Sequence, residues 1–83
     1  MKHKTVMTLL KTMRLWAEMS RGVGQTLASV SNWSGVPRMT AYRYMKKMSY
    51  FGLVEEVVGN YRGKPATFYV ITSLGFEMQR NIV

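Results

Sequence analysis

Gly35-Val36-Pro37 divides two stretches whose apolar residues recur at helical spacing, and this short break constrains the fold more than any other segment. Glycine adopts the left-handed conformation that ends a helix, and a proline two residues later sets the backbone for a new start. The pattern predicts a helix over 25–34, with Thr26 as N-cap accepting from the amide near Ser29 and Leu27, Ala28 and Val30 turned inward. A second helix then runs from Pro37 to Tyr50 or Phe51, with Ala41, Tyr44, Met45 and Met48 as its inner face, and Gly52 closes it. Two helices must therefore meet at a tight turn.

The flanking segments follow from the same reasoning. From Lys4 to Ser20, Val6, Leu9, Leu10, Met13, Trp16 and Ala17 recur at three-and-four spacing, which predicts an amphipathic helix. Met7, Leu15 and Met19 fall off that stripe; they are either a second apolar face for contact with another chain or scattered exposed side chains. Arg21-Gly22-Val23-Gly24 breaks the pattern into a short extended connector, and Trp16 and Trp33 are expected to anchor a small core. Beyond Gly52 the period changes to alternation, so 54–58 and 67–71 read as a hairpin joined by a loop over 59–66 rich in turn formers. Thr72 or Ser73 can cap a last helix, with Leu74, Met78 and Ile82 on one face and Gly75 weakening it.

Charge narrows the function. Lys and Arg outnumber Asp and Glu twelve to four in 83 residues, a formal charge of +8 that implies a polyanionic partner. With no cysteine, a single histidine (His3) and four acidic residues, neither a disulfide scaffold nor a zinc or calcium site is expected, and no cofactor. Glu55 and Glu56 are adjacent and so point to opposite faces of a strand, and no nucleophile motif accompanies them; no enzymatic activity is expected. No apolar run is long enough to span a membrane, so the expected location is cytoplasmic, nucleoid-associated if the polyanion is DNA. Beginning at Met1 with no tag or low-complexity tail, the sequence reads as a whole protein forming a single domain over 1–83.

The order helix, helix-turn-helix, hairpin, helix resembles the winged helix-turn-helix superfamily, especially the MarR-like regulators and their small relatives. Residues 26–54 carry the resemblance without a gap, through Leu27-Ala28, Gly35, Thr40, Arg43, Met45, Met48 and Gly52-Leu53-Val54. Gly63-Lys64-Pro65, Tyr69-Val70-Ile71-Thr72 and Gly75 resemble the wing and the helix start that follows it. Pro37 departs from the Ser or Thr usual in the family, which removes a first-turn hydroxyl that often touches phosphate, and Trp33 departs from a usual acidic residue or Lys. The resemblance implies an α+β winged helix, with the helix-turn-helix over about 26–51 and the wing over about 54–71. It also implies a double-stranded DNA partner for a transcriptional regulator, expected to be a repressor.

If Ala41, Tyr44, Met45 and Met48 face the core, Arg38, Met39, Tyr42, Arg43 and Lys46 lie on the opposite side of the helix over 37–50. Arg38 and Arg43 suit bidentate contacts to guanine, Met39 or Tyr42 a thymine methyl, and Lys46 and Lys47 phosphates. An ordinary solvated helix face is the other reading of these cations, and flank packing the other reading of Tyr42. Tyr61, Arg62 and Lys64 on the wing, 59–66, suit the minor groove or its phosphates, or only a solvated tip. Thr26, with Gln25 and the amides opening its helix, offers a further phosphate anchor. Lys2, His3 and Lys4 can form an extra arm. A homodimer through the first and last helices would suit a two-fold operator, with no small-molecule ligand. The alternatives are a winged-helix protein-interaction module of viral or plasmid type, and a replication or partition factor that binds DNA in the same way.

Overall fold

Helix α1, His3–Ser20, buries Val6, Leu9, Leu10 and Met13 on one stripe, as the three-and-four spacing requires. The computed structural model, which describes residues 2–21 and 23–81, continues with β1 Gln25–Thr26, α2 Leu27–Ser34, α3 Arg38–Tyr50, β2 Val54–Tyr61, β3 Lys64–Ile71 and α4 Ser73–Asn81. Gly22 and Ile82, read above as a helix breaker and a face residue, lie outside the described residues. One apolar cluster joins the α1 stripe to Val30 of α2, Ala41, Met45 and Met48 of α3, Leu53, Val54, Tyr69 and Ile71. The α+β winged-helix architecture expected from the sequence is the one observed: helices on one face of a small antiparallel sheet, with a long hairpin projecting beyond them.

Several boundaries differ from expectation. Gln25 and Thr26 do not open α2; they form β1, which pairs with Tyr69 and Phe68 of β3, and the sheet order is β1-β3-β2. A central strand gains hydrogen-bond partners on its second edge this way, and two extended residues satisfy it without any periodicity of their own. Thr26 still caps α2, its hydroxyl accepting from the Ser29 amide at 3.2 Å. Helix α3 ends as the sequence implies. Gly52 takes φ +78°, its amide donates to the Ser49 carbonyl, and the Leu53 amide donates to the Met48 carbonyl. This is a Schellman motif, completed by buried Leu53 and Met48 in one cluster.

The wing is a hairpin almost to its tip, not a loop over 59–66. Eight residues of β2 pair with eight of β3, from Val54 opposite Ile71 to Tyr61 opposite Lys64, leaving Arg62-Gly63 as the turn. Both turn residues have positive φ, 54° and 79°, the mark of a type I′ turn whose twist matches that of the strands. Residues flanking a two-residue turn form the hydrogen-bonded pair. Pro65, one step further along and opposite Asn60, thus turns its ring nitrogen to the open edge, where the missing N–H costs nothing.

The large aromatics also depart from expectation. Trp33 is 48% exposed. Although it lies three positions beyond buried Val30, Trp33 in the last turn of α2 meets the half-buried Trp16 edge-on at 5.1 Å outside the apolar cluster. The Trp16 indole donates to the Val23 carbonyl, so this pair clasps the α1–β1 connection from outside instead of filling the core. Met7 packs against the cluster, whereas Leu15 and Met19 are exposed.

In α4, Leu74 is exposed, and Phe76 and Met78 pack inward beside buried Gly75. Thr72 accepts from the Gly75 amide at 3.1 Å and donates to the Gly52 carbonyl, joining the end of α3 to the start of α4. Gly75 is a contact point: a Cβ there would lie 2.2 Å from the Leu53 carbonyl oxygen and 2.8 Å from Ile71 Cγ1. We expect Gly75→Ala to lower unfolding free energy by roughly 1–3 kcal/mol, despite alanine's better helix propensity, because the backbone must shift. Ser73→Ala, at an exposed neighbouring position, should stay within about 0.5 kcal/mol in the same urea titration.

Candidate nucleic-acid interface

Helix α3 carries Arg38, Arg43, Lys46 and Lys47 and no acidic residue. Burial of Ala41, Met45 and Met48 fixes its rotation, so the row diametrically outward, spaced by four, three and four residues, is Met39, Arg43, Lys46 and Tyr50. Arg38 and Tyr42 lie on one flank of that row and Lys47 on the other, and all seven side chains are exposed. The α2–α3 turn that presents this face is tied by polar contacts: the Ser31 hydroxyl donates to the Val36 carbonyl at 2.7 Å, and the Val36 amide donates to the Ser34 hydroxyl at 3.1 Å. Pro37 contributes no side-chain cap, but its carbonyl accepts from the Ala41 amide and opens the helix.

Tyr50 was not among the sequence candidates. It is 86% exposed, four residues beyond Lys46 on the outward row, and it meets exposed Phe51 edge-on at 5.4 Å. The signal that could have found it is the spacing of seven residues from Arg43, obscured because an aromatic at a helix end reads as core. Lys46, expected to reach phosphate, is paired within the free protein. Its ammonium lies 3.1 Å from Glu56 Oε1 and 3.3 Å from Oε2 on β2, and 5.5 Å from the centre of the Tyr42 ring. The hydrogen bond to Glu56 holds the Lys46 pKa above its ordinary 10.5, so the ammonium stays charged across the physiological range. Glu55 points to the other side of the sheet, as alternation demands.

The remaining candidates fall into three separate groups. Tyr61, Arg62 and Lys64 sit together at the hairpin tip, all exposed, with the Arg62 guanidinium 5.4 Å from the centre of the Tyr61 ring. Strands of eight residues carry this tip roughly 25 Å from the sheet's base. Thr26 is half-buried at the start of α2, with its oxygen engaged by Ser29 and its hydroxyl hydrogen free to donate. Gln25 is 1% exposed and its amide donates to the Ser29 hydroxyl at 3.0 Å, so it does not join Thr26 as a phosphate anchor. Lys2 is tied to α3 through its backbone amide, which donates to the Tyr44 hydroxyl at 3.0 Å, and Lys2, His3 and Lys4 are all exposed. No group of acidic and histidine side chains suited to a metal occurs among the described residues, and none of their helices is long and apolar enough to cross a membrane.

Arg62 is the one candidate held in a costly backbone conformation. A non-glycine residue at φ 54° costs on the order of 1–2 kcal/mol, which asparagine tolerates far better. We expect Arg62→Asn to raise the thermal midpoint modestly, by the equivalent of up to about 1 kcal/mol, while removing a cation from the tip. A lowered midpoint would contradict the turn assignment.

Comparison with known proteins supports the fold at low sequence identity. No family model matches the sequence, and no curated protein matches it. Among solved structures, the PcaV transcriptional regulator from Streptomyces coelicolor, determined with its natural ligand, aligns over 99% of this chain at 16% identity and a TM-score of 0.69. This chain spans about half, 52%, of the PcaV chain. Stf76 from the Sulfolobus islandicus plasmid-virus pSSVx aligns over 88% of this chain and 92% of its own, at 17% identity and a TM-score of 0.59. The chain is thus similar in fold to a regulator roughly twice its length and to a plasmid-virus protein of nearly its own size.

Proposed function

We propose that the protein is a sequence-specific double-stranded DNA-binding regulator that sets α3 into the major groove. The observation that carries this reading is the outward face of α3: cations on a helix without acids, interleaved with Met39, Tyr42 and Tyr50, and held outward by buried methionines. Arg38 and Arg43 read guanine edges, Met39 and Tyr42 meet thymine methyls, and Lys47 contacts phosphate. Tyr61, Arg62 and Lys64 follow the minor groove or its backbone, and Thr26 with the amides opening α2 anchors a further phosphate. The fold shared with a transcriptional regulator supports this role. B-form DNA suits it better than RNA, whose A-form major groove is too narrow for a helix.

On this reading the output is repression by occluding polymerase, with the protein acting as a two-fold dimer on half-sites roughly 34–36 Å apart. The outer surfaces of α1 and α4 suit the dimer. Arg14, Glu18, Glu77 and Arg80 line a groove between them, a mixture of signs that complements itself across a two-fold axis.

A second reading, a winged-helix module that binds a protein partner, draws support from exposed Leu15, Met19, Val23 and Trp33, since exposed tryptophan is enriched at interfaces. The two readings separate in a pull-down from nuclease-treated extract, because only a protein adaptor retains its partner without nucleic acid.

Selection of bound fragments from random duplex DNA tests the main reading. Affinity should fall steeply with salt, with a log-log slope of about −5. Arg43→Ala should lose discrimination at one base pair, at a cost of roughly 1–3 kcal/mol there, whereas Lys64→Ala should weaken all sequences alike. A flat salt response would refute DNA binding as the main activity.

A further inference from the structure

Of the four cations on α3, Lys46 alone has its charge met by a described residue. Its ammonium is shared between both Glu56 carboxylate oxygens at 3.1 and 3.3 Å, with the Tyr42 ring beside it. The placement of Glu56 follows from the sheet. It lies directly opposite Tyr69 in the β2–β3 register, and Tyr69 is buried, so β2 is anchored at this point. The strand's alternation then sends Glu56 toward α3 and Glu55 away from it. An acidic side chain on the α3 side of the sheet therefore has a fixed cationic partner at the centre of the outward row.

The charge at this position sums to zero, while Arg38, Arg43 and Lys47 around it stay free of ion pairs with any described residue. A phosphate that reached Lys46 would have to displace Glu56 and leave an unpaired carboxylate beside a polyanion. The ion pair itself is weak, as solvent-exposed pairs are, so its consequence lies in counterion release and not in folding. We propose that Glu56 withholds Lys46 from the DNA backbone, and so sets how tightly the surface holds duplex of any sequence. This inference rests on the DNA-binding reading above. By cancelling one phosphate contact, Glu56 lowers sequence-independent affinity and leaves base readout to Arg38 and Arg43.

The test compares the unmodified full chain, Glu56→Gln, Glu56→Ala and the double variant Lys46→Gln/Glu56→Gln, on a selected site and on random duplex over a range of salt. Removing the carboxylate frees Lys46, so Glu56→Gln and Glu56→Ala should each steepen the salt slope by about 0.9 and tighten binding on the order of fivefold near 0.15 M salt, on both duplexes. The double variant exchanges one neutral pair for another and should keep the parent slope. A parent slope in both Glu56 variants overturns the proposal. So does a double variant shallower by about 0.9, because Lys46 would then already hold a phosphate in the parent. If the parent shows no salt-dependent duplex binding, the DNA reading itself fails, and the proposal with it; the parent titration alone identifies that case. Thermal melts should leave all variants close to the parent midpoint, as expected for a solvent-exposed pair.

Discussion

The packing of Ala41, Met45 and Met48 into the core decides what the rest of the molecule can do. Each is fully shielded from solvent, and together they fix α3 against rotation about its own axis. Burying one methionine contributes about 1.5–3 kcal/mol, so turning both toward water would cost far more than the loss of an exposed ion pair such as Lys46–Glu56. The methionines therefore set the helix orientation and the ion pair adjusts to it. The outward row of Met39, Arg43, Lys46 and Tyr50 is the geometrical complement of that buried stripe.

Two local devices extend this constraint to neighbouring elements. The serine contacts around Val36 hold the α2–α3 turn, and the Schellman motif at Gly52 directs the chain from α3 into β2 without an irregular loop. Thr72 and Gly75 then bring α4 against the same corner, so that the end of α3, the root of the wing and the start of α4 meet around the Leu53 carbonyl. The hairpin leaves this corner with its register fixed by Val54 opposite Ile71, both buried. Because these joints are short and hydrogen-bonded, the angle between α3 and the wing is a property of the fold.

The helices were legible in the sequence because each has a periodic inner face and distinct punctuation: Thr26, Gly35 and Pro37, and Gly52. The shorter or compensated features were not. Two residues of β1 carry no period, and their strand character comes from β3, more than forty positions away. Gly59, Gly63 and Pro65 look like loop formers, yet only Arg62 and Gly63 turn; the others sit in strands where a missing side chain or N–H is tolerated. Gly75 looked like a weak point in a helix, and is instead required by the approach of the Leu53 carbonyl, a contact no local pattern encodes. Within the candidate site, the exposure of Arg38, Tyr42 and Arg43 follows from helical spacing, whereas the partner of Lys46 depends on strand register. Trp33 is not the core anchor its size suggests, because it pairs with Trp16 over the α1–β1 connection, a tertiary contact that no local pattern encodes.

Titration of isotope-labelled protein with a selected duplex, followed through its backbone amide resonances, tests the central claim most directly. If the buried methionine stripe holds α3 as the DNA-facing element, the largest shifts fall on residues 38–50 and 61–64, while α4 and the Leu15–Met19 segment of α1 change little. Shifts concentrated at Trp16, Trp33 and the outer surface of α1, with α3 unperturbed, would show that another face meets the polyanion and would contradict that claim.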